Sequence, residues 1–364
     1  MAGAKGVEEI MQAHDNGNCS CCDGRGTVGI DIHAHYYPES YLRLIEAEGG
    51  PFGAHFERTD KGPKVRVGPT FAGPIGSKFI DLDERLQAMD AQGVTAQALS
   101  LTQPMVYWAR GDAARRLSAA FNDAVADAHE RHPDRFYGLA ILPMQDAALA
   151  LAELERASKL PGIRGVYLAT YIDGRQLSDK AFWPVYERLE ALRLPIFLHP
   201  VEVIGMQDRL GDYFLSNLLG NPFDTAVAAA HLVLGQVMDR FPKLDVVLPH
   251  GGGALPFLIG RIEHGWRVRP ECRHLERSPR DYLQRFHYDT ITHSPEALTY
   301  LIDLVGADRV LLGSDYCFDM GYDQPVEVVN THGSLTEKDR AAILTTNAAR
   351  LLRLDEIQTA ATPA

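Results

Sequence analysis

Val28-Gly29-Ile30-Asp31-Ile32-His33-Ala34-His35 decides the reading of this chain. An apolar run, Val28–Ile32, leads directly into two histidines spaced as His-x-His. In a strand, alternate side chains point to one face, so His33 and His35 converge on a point, as two ligands of one metal ion must. The same ending recurs further along. His199 closes Leu194-Pro195-Ile196-Phe197-Leu198, and His250 follows Val246-Val247-Leu248-Pro249. Asp315 follows Val310-Leu311-Leu312-Gly313-Ser314. A lone histidine at a strand end is usually structural. Four of them with an aspartate, each closing an apolar run, make a shared metal site the stronger reading.

Eight runs of this kind are spaced along the chain: Val28–Ile32, Ala96–Leu101, Phe136–Leu142, Ile163–Leu168, Pro195–His199, Asp245–Pro249, His287–Thr290 and Val310–Gly313. Most intervals carry helical spacing. Leu82–Gln92 places Leu82, Leu86 and Met89 on one face, and Asp112–His132, Ala147–Ser158 and Phe182–Leu192 follow. Thr225–Arg240, Leu255–Val268, Pro295–Val305 and Thr336–Leu352 complete the series. The alternation predicts an α/β fold, a (β/α)8 TIM barrel of parallel strands whose C-terminal ends share one face. His33, His35, His199, His250 and Asp315 then all lie on that face. Two stretches break the alternation: residues 36–80, a small insertion after strand one expected to fold over the barrel mouth, and Glu202–Asp224, a helical insertion after strand five. The expected organisation is a flexible leader over residues 1–26, one barrel over 27–354 and a flexible tail over 355–364.

The chain has 364 residues, 46% of them hydrophobic, enough to bury a large core. A net charge of -12 argues against nucleic acid or an anionic membrane as partner. No apolar stretch is long enough to span a bilayer, and the leader lacks the apolar centre of a secretory signal. An odd, sparse set of five cysteines in a chain this long suggests a reducing compartment, the cytoplasm. Cys19 and Cys22 have C-x-x-C spacing with Cys21 between and His14 near, but no second pair follows, so a tail with exposed thiols is the plainer reading. His55, His129, His132, His274 and His332 read as surface residues, and His231 and His264 as helix packing. His293 reads as a cap or loop residue after strand seven. Gly251-Gly252-Gly253 allow close backbone approach but lack the Lys-Ser or Lys-Thr of a phosphate loop.

The chain resembles the amidohydrolase superfamily, and within it the branch of aminocarboxymuconate-semialdehyde decarboxylase with the resorcylate-type and carboxyvanillate-type decarboxylases. The matching stretches are Asp31-Ile32-His33-Ala34-His35, Met89-Asp90-Ala91-Gln92-Gly93-Val94, Leu198-His199-Pro200, His250-Gly251-Gly252-Gly253 with Gly260-Arg261, and Leu312-Gly313-Ser314-Asp315-Tyr316. The resemblance implies that His33, His35, His199 and Asp315 bind one divalent metal, zinc first, with manganese, cobalt or iron as alternatives. It implies that His250 works as acid/base with a metal-bound water. Strand four, Gly162-Ile163-Arg164-Gly165-Val166-Tyr167-Leu168, lacks the bridging lysine of two-metal relatives, which favours one ion.

The implied activity is non-oxidative decarboxylation of a conjugated or aromatic carboxylic acid in aromatic catabolism. Hydrolysis of a ring amide, lactone or substituted aromatic is the alternative, with Asp315 or His250 shuttling the proton. A non-enzymatic barrel is a third reading, which the intact ligand set opposes. The resemblance also implies a homodimer, with Arg269 binding a substrate carboxylate, in some members across the interface. A solvated cation at a helix C-terminus is the other reading of Arg269. The family's second substrate arginine belongs in the insertion, where this chain offers Arg66 as a stand-in. Val201 stands where close relatives carry tryptophan, and Cys317 where some carry Pro-Phe. Tyr107 and Trp108 either wall an aromatic pocket or pack half-buried.

Overall fold

The computed structural model describes residues 29–354, so the Cys19–Cys22 leader and the tail lie outside the described residues. Eight strands form one sheet in chain order: β1 (Gly29–His35), β2 (Val94–Ser100), β3 (Phe136–Ile141), β4 (Ile163–Ala169), β5 (Ile196–His199), β6 (Val246–Leu248), β7 (Phe286–Asp289) and β8 (Val310–Leu311). Every neighbouring pair is parallel. All seven residues of β1 and all four of β5 are buried. Burial on both faces is why these strands read as nearly unbroken apolar runs.

Each strand run of the sequence reading corresponds to one observed strand. The first runs further than expected and carries His33 and His35 within it. The circle is completed without a regular ladder between β8 and β1. One parallel bridge, Ala34 to Tyr316, stands there. Ile32 N–H donates to Leu312 O at 2.9 Å, Asp315 N–H to His33 O at 2.9 Å and His35 N–H to Tyr316 O at 2.6 Å. Parallel strands with helices between them make this a TIM barrel with its C-terminal strand ends on one side.

The helices follow from local chemistry. Asp81 caps Leu82–Gln92 by accepting from Asp83 N–H and Glu84 N–H, and Gly93 closes it in the left-handed region at φ 73. Asp146 and Ser294 cap Ala147–Ala157 and Pro295–Val305 in the same way. The helix Gly111–Arg131 buries Leu117, Phe121, Val125 and Ala128 as one stripe against the sheet. Two expected helices are interrupted. Asn221–Leu234 and Val237–Arg240 are separated at Gly235 and Gln236, the latter at φ 61. The last helical region holds a wide turn, Ala342–Thr346, between two short helices.

The insertion after β1 has a helix, Glu39–Glu48, and a three-stranded antiparallel sheet, Ala54–Glu57, Lys64–Val67 and Thr70–Ala72. Tyr37 N–H donates to Phe79 O at 2.9 Å, and the Phe79 ring packs 5.0 Å from that of Phe318, just past β8. The insertion therefore ends against the same barrel face as the histidines. His332 corrects the sequence reading. It is 6% exposed, with Nε2 3.0 Å from Pro295 O and Nδ1 3.1 Å from Ser334 Oγ. Its polar flanks hid a loop that folds back onto the helix Pro295–Val305.

Candidate metal centre

Strand alternation puts His33 and His35 on one face of β1, and β5 delivers His199 beside them. Asp315 stands past β8 at φ 58, one of the non-glycine residues held in the left-handed region, where aspartate is among the more tolerant types. One ligand atom from each of His33, His35, His199 and Asp315 lies within 4.8 Å of all the others, and all four residues are buried. His35 Nε2 is 2.9 Å and His33 Nε2 3.6 Å from Asp315 Oδ1.

The hydrogen bonds fix which nitrogen His33 and His199 present. His33 Nδ1 is 2.7 Å from Asp289 Oδ2. A carboxylate accepts, so Nδ1 carries the hydrogen and Nε2 keeps its lone pair. His199 Nδ1–H likewise donates to Pro200 O at 2.8 Å. Ser100 Oγ donates to Ala34 O at 3.0 Å and so accepts from His35 Nδ1–H at 3.1 Å. His33 and His199 are thus held with Nε2 free as a donor atom, while His35 turns its Nε2 toward Asp315 Oδ1, its neighbour in the same cluster. His33 Nε2 is buried and has no hydrogen-bond partner. Such an atom fits a metal ligand, since buried polar atoms are otherwise paired.

The electrostatics agree. Burial pushes His35 down to about 4, and burial with the neighbouring imidazoles holds His199 well below its ordinary value. Metal binding to these two displaces no proton at neutral pH. Burial also pulls His33 down, but its hydrogen bond to Asp289 and the charge of Asp315 hold it up. Those acids favour a cation at this point, whether proton or metal. Burial pushes Asp315 up, yet the imidazoles of His250 and His35 beside it keep it well below the usual carboxylate range. A buried set of three neutral-capable imidazoles and one carboxylate suits a divalent transition metal. The β4 side chain beside these rings is Tyr167, 5.7 Å from His199 and 6.2 Å from His35 between centroids.

His250 stands apart from the four. Its Nε2 is 3.9 Å from Asp315 Oδ2, beyond hydrogen bonding, and its Nδ1 has no partner. It follows β6 at φ 55, and its ring faces those of His33 and His199 at 5.3 and 5.7 Å. The three glycines after it are needed by this turn. A Cβ on Gly253, at φ 59, would stand 2.2 Å from Pro222 O.

Two residues here were not singled out in the sequence. Asp289, the last residue of β7, is fully buried and accepts four hydrogen bonds. Oδ2 takes His33 Nδ1–H and His250 N–H at 2.7 and 2.9 Å. Oδ1 takes Gly251 N–H and Ile291 N–H at 2.8 and 3.1 Å. One carboxylate thus orients a metal-facing ring and the loop that carries His250. Asp31 does similar work at the β8–β1 seam. It accepts from His33 N–H, Gln97 Nε2–H, Ser314 N–H and Ser314 Oγ–H at 3.0, 3.0, 3.1 and 2.5 Å. The available signal for Asp289 was an aspartate near the end of the seventh strand run, His287–Thr290.

Asp289→Asn is expected to weaken metal binding by about 10–100-fold, because an amide no longer fixes the His33 tautomer. Chelator competition on protein with an unchanged circular dichroism spectrum would measure it. An unchanged affinity would show that the carboxylate serves the loop alone.

The other sequence candidates lie off the centre. Tyr107 is buried, and its hydroxyl accepts from Ala169 N–H at 3.3 Å. Trp108 is half-buried, its Nε1–H donating to Met105 O at 3.0 Å. Arg66 is exposed over the Phe71 ring at 5.2 Å. Arg269 is exposed and pairs with Glu271 at 2.8 Å. None of the four lines the two cavities that open at the metal centre. His293 does line one of them, and its N–H donates to the Tyr322 hydroxyl at 2.6 Å.

The sequence profile of the amidohydrolase family matches residues 30–354. The 2-amino-3-carboxymuconate-6-semialdehyde decarboxylase of Dictyostelium discoideum is 34% identical over 90% of this chain and 92% of its own length. In three dimensions, Metarhizium anisopliae IDCase in apo form matches 93% of this chain and 99% of that one, with a TM-score of 0.81 and 26% identity. The dihydroxybenzoic acid decarboxylase of Polaromonas sp. JS666, with bound manganese and the inhibitor 2-nitroresorcinol, matches 90% of this chain and 98% of that one, with a TM-score of 0.75 and 27% identity.

Proposed function

This chain belongs to the amidohydrolase family, and from that premise we propose that it is a metal-dependent, non-oxidative decarboxylase of a conjugated or aromatic carboxylic acid. The observation that carries this reading is the buried donor set of His33, His35, His199 and Asp315 with His250 standing free beside it. These four residues would hold one divalent ion. Three imidazoles and a carboxylate suit zinc, and also manganese, which the Polaromonas relative holds. When bound, the ion supplies a Lewis acid that polarises a substrate oxygen.

The chain's own residues do the rest. His250 Nε2 delivers a proton to the substrate carbon that bears the carboxylate. That carbon loses its place in the conjugated system, the bond to the carboxylate breaks, and carbon dioxide departs. The electron pair of that bond restores the conjugation, so no redox cofactor is consumed. Asp289, through the backbone of His250 and Gly251, keeps the acid/base in register with the metal ligands.

The same reading includes assembly as a homodimer. Phe223, Phe257, Val268 and Tyr300 are exposed apolar side chains on neighbouring helices, which supports a self-association face. No helix among the described residues is long and apolar enough to cross a membrane.

Incubating the metal-loaded protein with hydroxybenzoic acids in 18O-labelled water tests the chemistry. Carbon dioxide release without 18O in the aromatic product is expected. Incorporation of 18O without carbon dioxide would replace this reading with hydrolysis.

A further inference from the structure

Arg85 lies on the helix Leu82–Gln92 with its side chain fully buried. An arginine so buried is rare unless an acid pairs with it. Here its acceptors are neutral. Nη1–H donates to Gln97 Oε1 at 3.1 Å, and Nη2–H donates to Lys78 O at 3.3 Å and to His35 O. The guanidinium carbon stands 4.8 Å from the centroid of the Tyr316 ring and 5.8 Å from that of Tyr36. Nε–H has no partner. Taking a charge out of water on these terms is costly, and an apolar side chain of similar volume would fill the space at less cost. What the guanidinium touches is therefore the guide to its use.

Gln97 on β2 passes the contact on. Its Oε1 faces the guanidinium, and its Nε2–H donates to Asp31 Oδ2 at 3.0 Å. The amide stands this way round because a reversed one would turn its N–H groups against those of Arg85. Asp31 accepts in turn from His33 N–H and from Ser314 N–H and Oγ–H. The relay therefore grips the β8–β1 seam twice. Its cationic end holds His35 and the Tyr316 ring, and its anionic end holds His33 and Ser314. His33 and His35 are the metal-facing residues of β1, and Asp315 lies between the two gripped residues beyond β8. These segments share a single bridge, Ala34 to Tyr316, so the relay supplies what a ladder supplies elsewhere. Charge at both ends, with an amide dipole aligned between them, makes the grip strong and directional.

We propose that Arg85 is a positioning residue of the metal centre: through Gln97 and Asp31 it sets the spacing of His33, His35 and Asp315 across the seam. This role rests on the donor set read above and is independent of the reaction carried out there.

Arg85→Lys keeps the charge but loses the planar face and the second arm of the fork. Hydrogen exchange on the full-length protein at saturating zinc compares the two chains at equal occupancy. The His35 and Asp315 amides, which bond across the seam, should exchange about tenfold faster in the variant. The Val166 and Ile196 amides, bonded on the far side of the barrel, should keep their rates. Chelator competition should find cobalt held about 10–100-fold more weakly, with an altered visible absorption spectrum at full loading. Val125→Ala, a core truncation in the helix Gly111–Arg131, lowers stability away from the seam and should leave the seam amides and the cobalt affinity as in wild type. If Arg85→Lys does not fold, Gln97→Leu, which severs the relay and leaves Arg85 in place, carries the same two expectations. Wild-type exchange and affinity in a folded Arg85→Lys overturn the proposal. Equal losses in Val125→Ala also overturn it, because the arginine would then serve the fold alone. Wild-type protein that takes up no cobalt overturns the donor set and this role together, and that outcome is told apart because it involves no variant.

Discussion

Replacing His250 with alanine is expected to leave the metal in place and reduce turnover by about 10²–10⁴-fold, the loss that follows removal of a positioned acid/base. The expectation comes from the separation of roles at the site. The four clustered ligand atoms belong to His33, His35, His199 and Asp315, and none belongs to His250. The His250 loop is held by its backbone, through Asp289, so shortening the side chain leaves the turn intact. Metal content by elemental analysis and kcat on the same preparation give the answer. Near-native turnover, or loss of metal, would remove His250 from the role assigned to it.

His199→Ala should do the opposite to the metal. It removes one of four donors from a buried site and leaves apolar space in its place. The variant should hold well below one ion per chain after dialysis, and activity should be lost with the ion. Its effect should exceed that of Asp289→Asn, which only disorients a ligand. Full metal retention in His199→Ala would break the proposed ligand set. Two bridged ions seen by anomalous scattering would break the single-ion reading, which Tyr167 on β4 supports.

Much of this was legible in the order of residues. A parallel barrel buries its strands on both faces, so each strand announces itself as an apolar run, and a polar residue closing the run marks the functional face. His33, His35, His199, His250 and Asp315 were visible for that reason. The roles of Asp289 and Asp31 were not. Asp289 meets His33 across 256 positions of sequence and Asp31 meets Ser314 across 283, so no local spacing records either contact. Strand ends were read less well than strands, because the last residues of β1 bond to the chain beyond β8 rather than to a sequence neighbour. The pocket walls were the least legible part. Phe71 and Phe318 lie far apart in the chain and come to line one cavity only when the insertion packs on the barrel.

The seam between β8 and β1 has a consequence for how the protein is made. A ribosome delivers β1 first and Asp315 near the end, and His35 meets Asp315 across 280 residues. A nascent chain that has emerged only through β7 owns every imidazole of the site and no carboxylate ligand for them. It also has an open sheet edge along β1. The complete ligand set is therefore expected only once the ring closes, so metal should stabilise chains synthesised past Asp315 more than shorter ones. Metal supplied during refolding should slow opening of the β8–β1 junction more than any other local opening. Truncation just before β8 should yield a chain that no concentration of metal restores to the closed barrel.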